Sequence, residues 1–320
     1  MRNVLILVSL IIASSVFSQE NTTAGFKTGT DFGAYDVDSK ALFVWAREDG
    51  SLGLSSVKVV ASSLTKIYST GVNQYTSIYP SISVHGNTAI AVYPDEEGKL
   101  RFLFYNILSD GSLKYVSKYV ASEIVRVGIS SVISEDLLFV AMMGDHSEPY
   151  ILCYEIDKDS VTLKTQQNIM NEKCQTIPRL AVLGDYLYIT WIDGEGVVHL
   201  RAIVIKKQGG VSLIDKGERP LLLKTVTSNV KNVAPSDIVV KGDILYLSWL
   251  DSKDRYLHIR LYTPSGSSIG NYTDEVVLRE RLSKYKILIV TGNLWVFWVG
   301  DGGEMSKVFS PSWFVYGRKM

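Results

Sequence analysis

The sequence predicts an all-β fold, a six-bladed β-propeller of four-stranded antiparallel blades, and three observations predict it. Six segments share one pattern of a turn, an alternating apolar run ending in a large side chain, and a turn that in most cases carries an acid: residues 39–46, 87–94, 136–143, 185–192, 243–250 and 293–299. Their large residues, Trp45, Tyr93, Met142, Trp191, Trp249 and Trp298, stand at intervals of 48, 49, 49, 58 and 49. No helical periodicity competes with this pattern after residue 18. A period of about 40–50 residues holding four short strands is the signature of a propeller blade.

Each strand of the repeat has its own chemistry. The anchor segments, such as Leu-Tyr-Ile-Thr-Trp191 and Leu-Tyr-Leu-Ser-Trp249, alternate with a two-residue period and are rich in β-branched and aromatic side chains. Three are preceded by another short strand that begins at Pro80, Pro178 or Pro235. The turns His85-Gly86-Asn87, Leu183-Gly184-Asp185 and Lys241-Gly242-Asp243 join the two, with glycine supplying the positive φ of a tight hairpin. A third strand follows the acidic turn at residues 100–105, 150–156, 198–205 and 256–262, and a less regular fourth at 112–120 and 160–165. After Trp298 the chain has room for strands at 304–309 and 313–316, and residues just after position 18 are available to complete a blade. A pair of β-sandwiches, the competing fold, predicts no single period through the whole chain.

The first 18 residues read as a signal peptide: Arg2, an apolar run over residues 4–13, and small residues leading to cleavage after Ser18. The run is shorter than the roughly 20 residues of a membrane span. The expected product is one secreted propeller domain over residues 19–320, with no transmembrane segment. The chain carries 33 basic and 33 acidic residues, a balance that argues against a nucleic-acid footprint or a polybasic membrane surface. Its two cysteines, Cys153 and Cys174, could pair in a secretory compartment, closing a loop of about 20 residues worth about 3 kcal/mol; the alternative is two buried, unpaired thiols, since Cys153 stands mid-strand. Asn21 and Asn271 head Asn-X-Thr sequons and are the expected glycosylation sites.

The run Leu-Tyr-Ile-Thr-Trp-Ile-Asp193, its counterpart Leu-Tyr-Leu-Ser-Trp-Leu-Asp251, and the following His-Leu-Arg201 and His-Ile-Arg260 strands resemble blade repeats of the sialidase-like propeller superfamily. The resemblance covers the strand pattern along the chain and stops there. The Phe-Arg-Ile-Pro segment and the Ser-x-Asp-x-Gly-x-x-Trp box of sialidases are absent, and the Tyr-Trp-Thr-Asp motif of the lipoprotein-receptor propellers is not matched, the tryptophan here standing two places later. No functional residue is carried over from either family.

Among the residues themselves, every repeat places an acid soon after its anchor: Asp49, Asp95, Asp145, Asp193, Asp251 and Asp301. Such acids serve either as turn residues or as a ring of carboxylates for acid–base chemistry or a cation. No cofactor is indicated; calcium would need several oxygens converging at about 2.3–2.6 Å. The pairs His199/Arg201 and His258/Arg260, beside Asp193 and Asp251, read as either a solvated strand face or a site for an anionic group. Tyr75 and Tyr79 offer aromatic faces for a sugar or a protein. Arg279, Arg281, Lys284 and Lys286 cluster in the connection to the last blade, and the interval of 58 marks an insertion within residues 206–232. No catalytic arrangement is evident. The expected function is an extracellular binding module that recognises a protein or glycan through its inter-blade loops. A glycan-processing enzyme using turn carboxylates and a structural extracellular component are the alternatives.

Overall fold

The computed structural model describes residues 32–37, 39–47, 49–60, 63–76, 79–125, 127–169, 173–215, 223–224, 235–251, 254–266, 268–270, 272–278, 284–299 and 310–314. These build a β-propeller of antiparallel sheets. The first sheet holds β1 (Phe32–Val37), β2 (Lys40–Ala46), β3 (Ser51–Val60) and β4 (Ser63–Tyr75). The second holds β5 (Ser81–His85), β6 (Thr88–Pro94), β7 (Lys99–Ile107) and β8 (Leu113–Ile124). The third holds β9 (Ile129–Ser134), β10 (Leu137–Met143), β11 (Pro149–Asp157) and β12 (Ser160–Asn168). The fourth holds β13 (Arg179–Leu183), β14 (Tyr186–Ile192), β15 (Val197–Lys206) and β16 (Ser212–Asp215), with the short β17 (Leu223–Lys224) also on β15. The fifth holds β18 (Asp237–Lys241), β19 (Ile244–Leu250), β20 (Leu257–Tyr262) and β21 (Tyr272–Leu278). The last holds β22 (Lys284–Val290), β23 (Asn293–Val299) and β24 (Ser310–Phe314).

Five sheets thus have four strands or more, and the last has three among the described residues, short of the four expected for a sixth blade. Where the sequence placed strands at 304–309 and 313–316, one strand, β24, spans Ser310–Phe314; residues 304–309 lie outside the described residues. The long interval falls where β15 takes two successive partners, β16 on its second half and β17 on its first. The first strands lie side by side in the order β1, β5, β9, β13, β18, β22, with β22 returning to β1. Among the described residues no helix is long and apolar enough to cross a membrane.

The core lies between sheets, and the anchor residues build it. Tyr93 packs with the first sheet, Met142 with the second, Trp191 with the third and Trp249 with the fourth, so each turns toward the sheet before its own. All four are buried, as is Trp45. The side chain of Trp298 lies outside the described residues. The expected hairpins form with φ of 56°, 58° and 56° at Gly86, Gly184 and Gly242. In the Asp193 turn the left-handed residue is Gly196, not Gly194.

The cysteines do not pair. Cys153 and Cys174 are separate thiols, both buried in the apolar cluster between the third and fourth sheets. Burial pushes each thiol up to about 12, which keeps them protonated. A thiol reagent is therefore expected to leave the native protein unlabelled and to titrate both cysteines after denaturation without reductant. A denatured protein with no reactive thiol would show a disulfide instead.

Candidate functional site

The site grows out of the register between second and third strands. Opposite the anchors Trp45, Tyr93, Met142, Trp191 and Trp249 stand Gly53, Arg101, Tyr150, His199 and His258. This position decides what covers the anchor ring. In the first sheet the Trp45 indole lies over Gly53, where a Cβ would collide with it. In the fourth, His199 stacks on Trp191 with centroids 4.9 Å apart and planes 4° from parallel. In the fifth, His258 stacks on Trp249 at 5.4 Å.

The acids then meet these residues. Asp193 Oδ1 accepts the Glu195 and Val197 amides at 2.9 and 2.8 Å, and its Oδ2 lies 2.8 Å from His199 Nε2. Asp95 repeats the arrangement, accepting the Glu97 and Lys99 amides at 3.0 and 2.8 Å and Arg101 Nε at 2.6 Å. Burial raises the Asp95 carboxyl, but the Arg101 and amide hydrogen bonds outweigh it and hold the group below its ordinary value. Asp49 accepts the Ser51 amide and hydroxyl. These acids are turn residues whose second oxygen, in two sheets, meets a side-chain nitrogen of Arg101 or His199. Asp145 is exposed, and Asp301 lies outside the described residues.

The fifth sheet departs from this scheme. There Asp254 accepts the Tyr256 amide at 2.9 Å. His258 is held at both nitrogens, Nε2 at 3.0 Å from Asp254 and Nδ1 at 2.7 Å from Glu275. Arg260 donates from Nε to Glu275 at 2.6 Å. Its guanidinium lies 5.1 Å from the Trp249 ring and 4.2 Å from the Tyr272 ring. Burial raises the Glu275 carboxyl, but hydrogen bonds from His258 and Arg260 prevail and keep it below its ordinary value. Tyr272 is 49% exposed, so the cluster presents an aromatic face to solvent. The whole group shares the face of Trp249 and Tyr262, which turns toward the fourth sheet. The cluster therefore lies on the side of the fifth sheet that turns toward the fourth.

Of the residues singled out from sequence, the structure brings His258 and Arg260 together and joins His199 to Asp193, with Arg201 5.8 Å from the Trp191 ring. Asp251 carries one ligand atom within 4.8 Å of both Asp254 and His258. Tyr75 ends β4 and is exposed, whereas Tyr79 is half-buried against Gly128. Asn21, Asn271, Arg279 and Arg281 lie outside the described residues.

Sequence reasoning missed Glu275 and Tyr272. Their spacing of three places them on opposite faces of an ideal strand. A bulge removes the conflict: Glu275 pairs Arg260, Asp274 pairs Leu261, and Tyr272 pairs Tyr262, leaving Thr273 as the extra residue. Both side chains then reach the face of Arg260. The signal that could have found them is the Tyr272-Thr-Asp-Glu275 sequence directly across from Arg260 in the hairpin.

No family model and no curated protein matches the chain. Solved structures do resemble it. AofleA from Arthrobotrys oligospora superposes with a TM-score of 0.61 at 10% identity, over 90% of this chain and 84% of that one. A six-bladed fungal lectin, the Aleuria aurantia lectin, gives 0.57 at 11% identity over 90% and 96%. Trypanosoma rangeli sialidase in complex with the inhibitor DANA gives 0.59 at 11% identity, over 90% of this chain but only 55% of the sialidase. At these identities the likeness is one of fold, and the chain has the fold of lectin and sialidase β-propellers.

Proposed function

We propose that this is a secreted six-bladed propeller that binds glycans in its inter-blade clefts, foremost in the cleft formed by Tyr272, Arg260, Glu275 and His258. The observation that carries this reading is the Arg260 guanidinium held between two rings, with one ring exposed and one carboxylate fixed beside it. Sugars are recognised by aromatic faces that take their C–H surface and by rigid charged groups that bond their hydroxyls in known directions. Here both are prebuilt, so little conformational freedom remains to be lost on binding. The fucose-binding lectin among the structural neighbours supports the class of ligand, not its identity. Removal of residues 1–18, glycans at Asn21 and Asn271, and a sixth blade completed by residues beyond the described ones belong to the same proposal.

A broad glycan array probed with the mature protein tests it, with and without EDTA. Saturable binding to a defined sugar is expected. EDTA is expected to leave it unchanged, because Asp254 and Glu275 are already met by His258 and Arg260. Loss in EDTA would make Asp251, Asp254 and His258 a metal-holding set. A blank array would move the function to protein partners or a structural role.

A further inference from the structure

The first strands surround the axis, and their pairing aligns them. The residues opposite the position just before each anchor are Gly33, Ser81, Ser130, Arg179, Asp237 and Lys286. One level of the axis therefore carries two hydroxyls, a guanidinium, a carboxylate and an ammonium. The three charged residues are 1%, 5% and 7% exposed, a buried set of two cations and one anion. The carboxylate is already engaged: Asp237 Oδ2 accepts the Ile287 amide at 2.9 Å, and Lys286 Nζ lies 3.6 Å from its Oδ1. Nearby, Ser83 and Ser131 share a hydrogen bond of 2.7 Å, and Ser131 donates to Ser81 Oγ from both its hydroxyl and its amide at 2.9 Å. Within these bonds Ser81 only accepts, so its own proton remains to be given.

These groups open onto a cavity of about 220 Å³ that Ser81, Ser130, Asp237 and Lys286 line at one level. Further along the axis its wall is aliphatic, including Val132, Leu180, Val239 and Ile289. We propose that this channel binds a small aliphatic monocarboxylate, its carboxylate at Lys286, Ser81 and Ser130 and its hydrocarbon tail along the aliphatic wall. A monoanion suits the ammonium of Lys286 in the cavity lining, whereas a dianion would meet stronger repulsion from the Asp237 carboxylate there. A sugar would leave hydroxyls without partners on the aliphatic wall. The free channel also penalises the lysine: burial, and then Arg179, lower Lys286 to about 7, a penalty that a bound carboxylate relieves.

Calorimetry of the mature chain with acetate, propionate, butyrate and sulfate, each against chloride at matched ionic strength and pH 6.5, tests the proposal. Affinity is expected to improve about fourfold per methylene from acetate to butyrate, with sulfate no better than chloride. Lys286→Met is expected to melt higher than wild type in chloride and to lose butyrate binding at least tenfold; Ser81→Ala, a milder change, is expected to weaken it several-fold. Butyrate indistinguishable from chloride, sulfate as tight as butyrate, or full butyrate binding by Lys286→Met would each overturn it. This readout does not use glycan binding, so either proposal can fail alone.

Discussion

Replacing Trp191 by alanine is expected to destabilise the protein by about 3–5 kcal/mol, the range for emptying a large aromatic site in a packed core. The indole is fully buried and joins two sheets: it packs with Phe139, Ile151 and Cys153 of the third and with Ile189 and Ile203 of its own. Its loss also strips the His199 ring of its stacking partner, leaving the Asp193–His199 pair without the surface that orients it. Since neighbouring sheets touch mainly through such residues, the cavity cannot close without moving one sheet against the next. Denaturant unfolding measures this directly. A loss below about 1 kcal/mol would mean that the repeated aromatic is not a packing element.

Lys286→Met is expected to stabilise the protein at pH 6, because burial and Arg179 disfavour the charged lysine more than Asp237 favours it, and Arg179 remains to interact with Asp237. Among the described residues the charged groups that act on Lys286 are Arg179 on β13 and Asp237 on β18, with Tyr285 next to it in β22 and Gly33 at the same level of β1. The sign follows from proton counting. In the unfolded chain the lysine holds its proton to its ordinary value of 10.5, and in the folded protein only to about 7. Between these values the unfolded state binds more protons, so this group makes stability rise with pH through that window. The advantage of Lys286→Met should therefore be largest at or below pH 7 and vanish toward pH 10. Melting of both proteins from pH 6 to 10 checks this. A constant difference would show that Lys286 does not titrate in that window.

Most of the fold was legible because its signals are local. Alternation, hairpin glycines and the anchor interval are properties of short segments, and they placed β2, β6, β10, β14, β19 and β23 at the six repeats. What failed was non-local. The pairing of Cys153 with Cys174 was inferred from compartment and loop length, but the two thiols lie in the core as apolar groups. The site was half legible. His258 and Arg260 stood out by recurrence, whereas Tyr272 and Glu275 were hidden by a bulge, and Asp254 by standing three residues beyond Asp251, the counterpart of Asp193. Arg179 and Asp237 were hidden differently. Arg179 follows Pro178 and Asp237 stands two residues after Pro235, each at the start of an inner strand, and only their common level around the axis brings them beside Lys286.

The central claim is that glycan enters the cleft of the fifth sheet, and calorimetry of the best array sugar with wild type and Tyr272→Ala tests it most directly. Tyr272 is exposed, so its removal should leave the melting temperature within a few degrees of wild type. The account predicts that affinity nonetheless falls at least tenfold, through loss of the exposed ring and of the surface that fixes Arg260. Equal affinity in the two proteins would place the sugar elsewhere and contradict it.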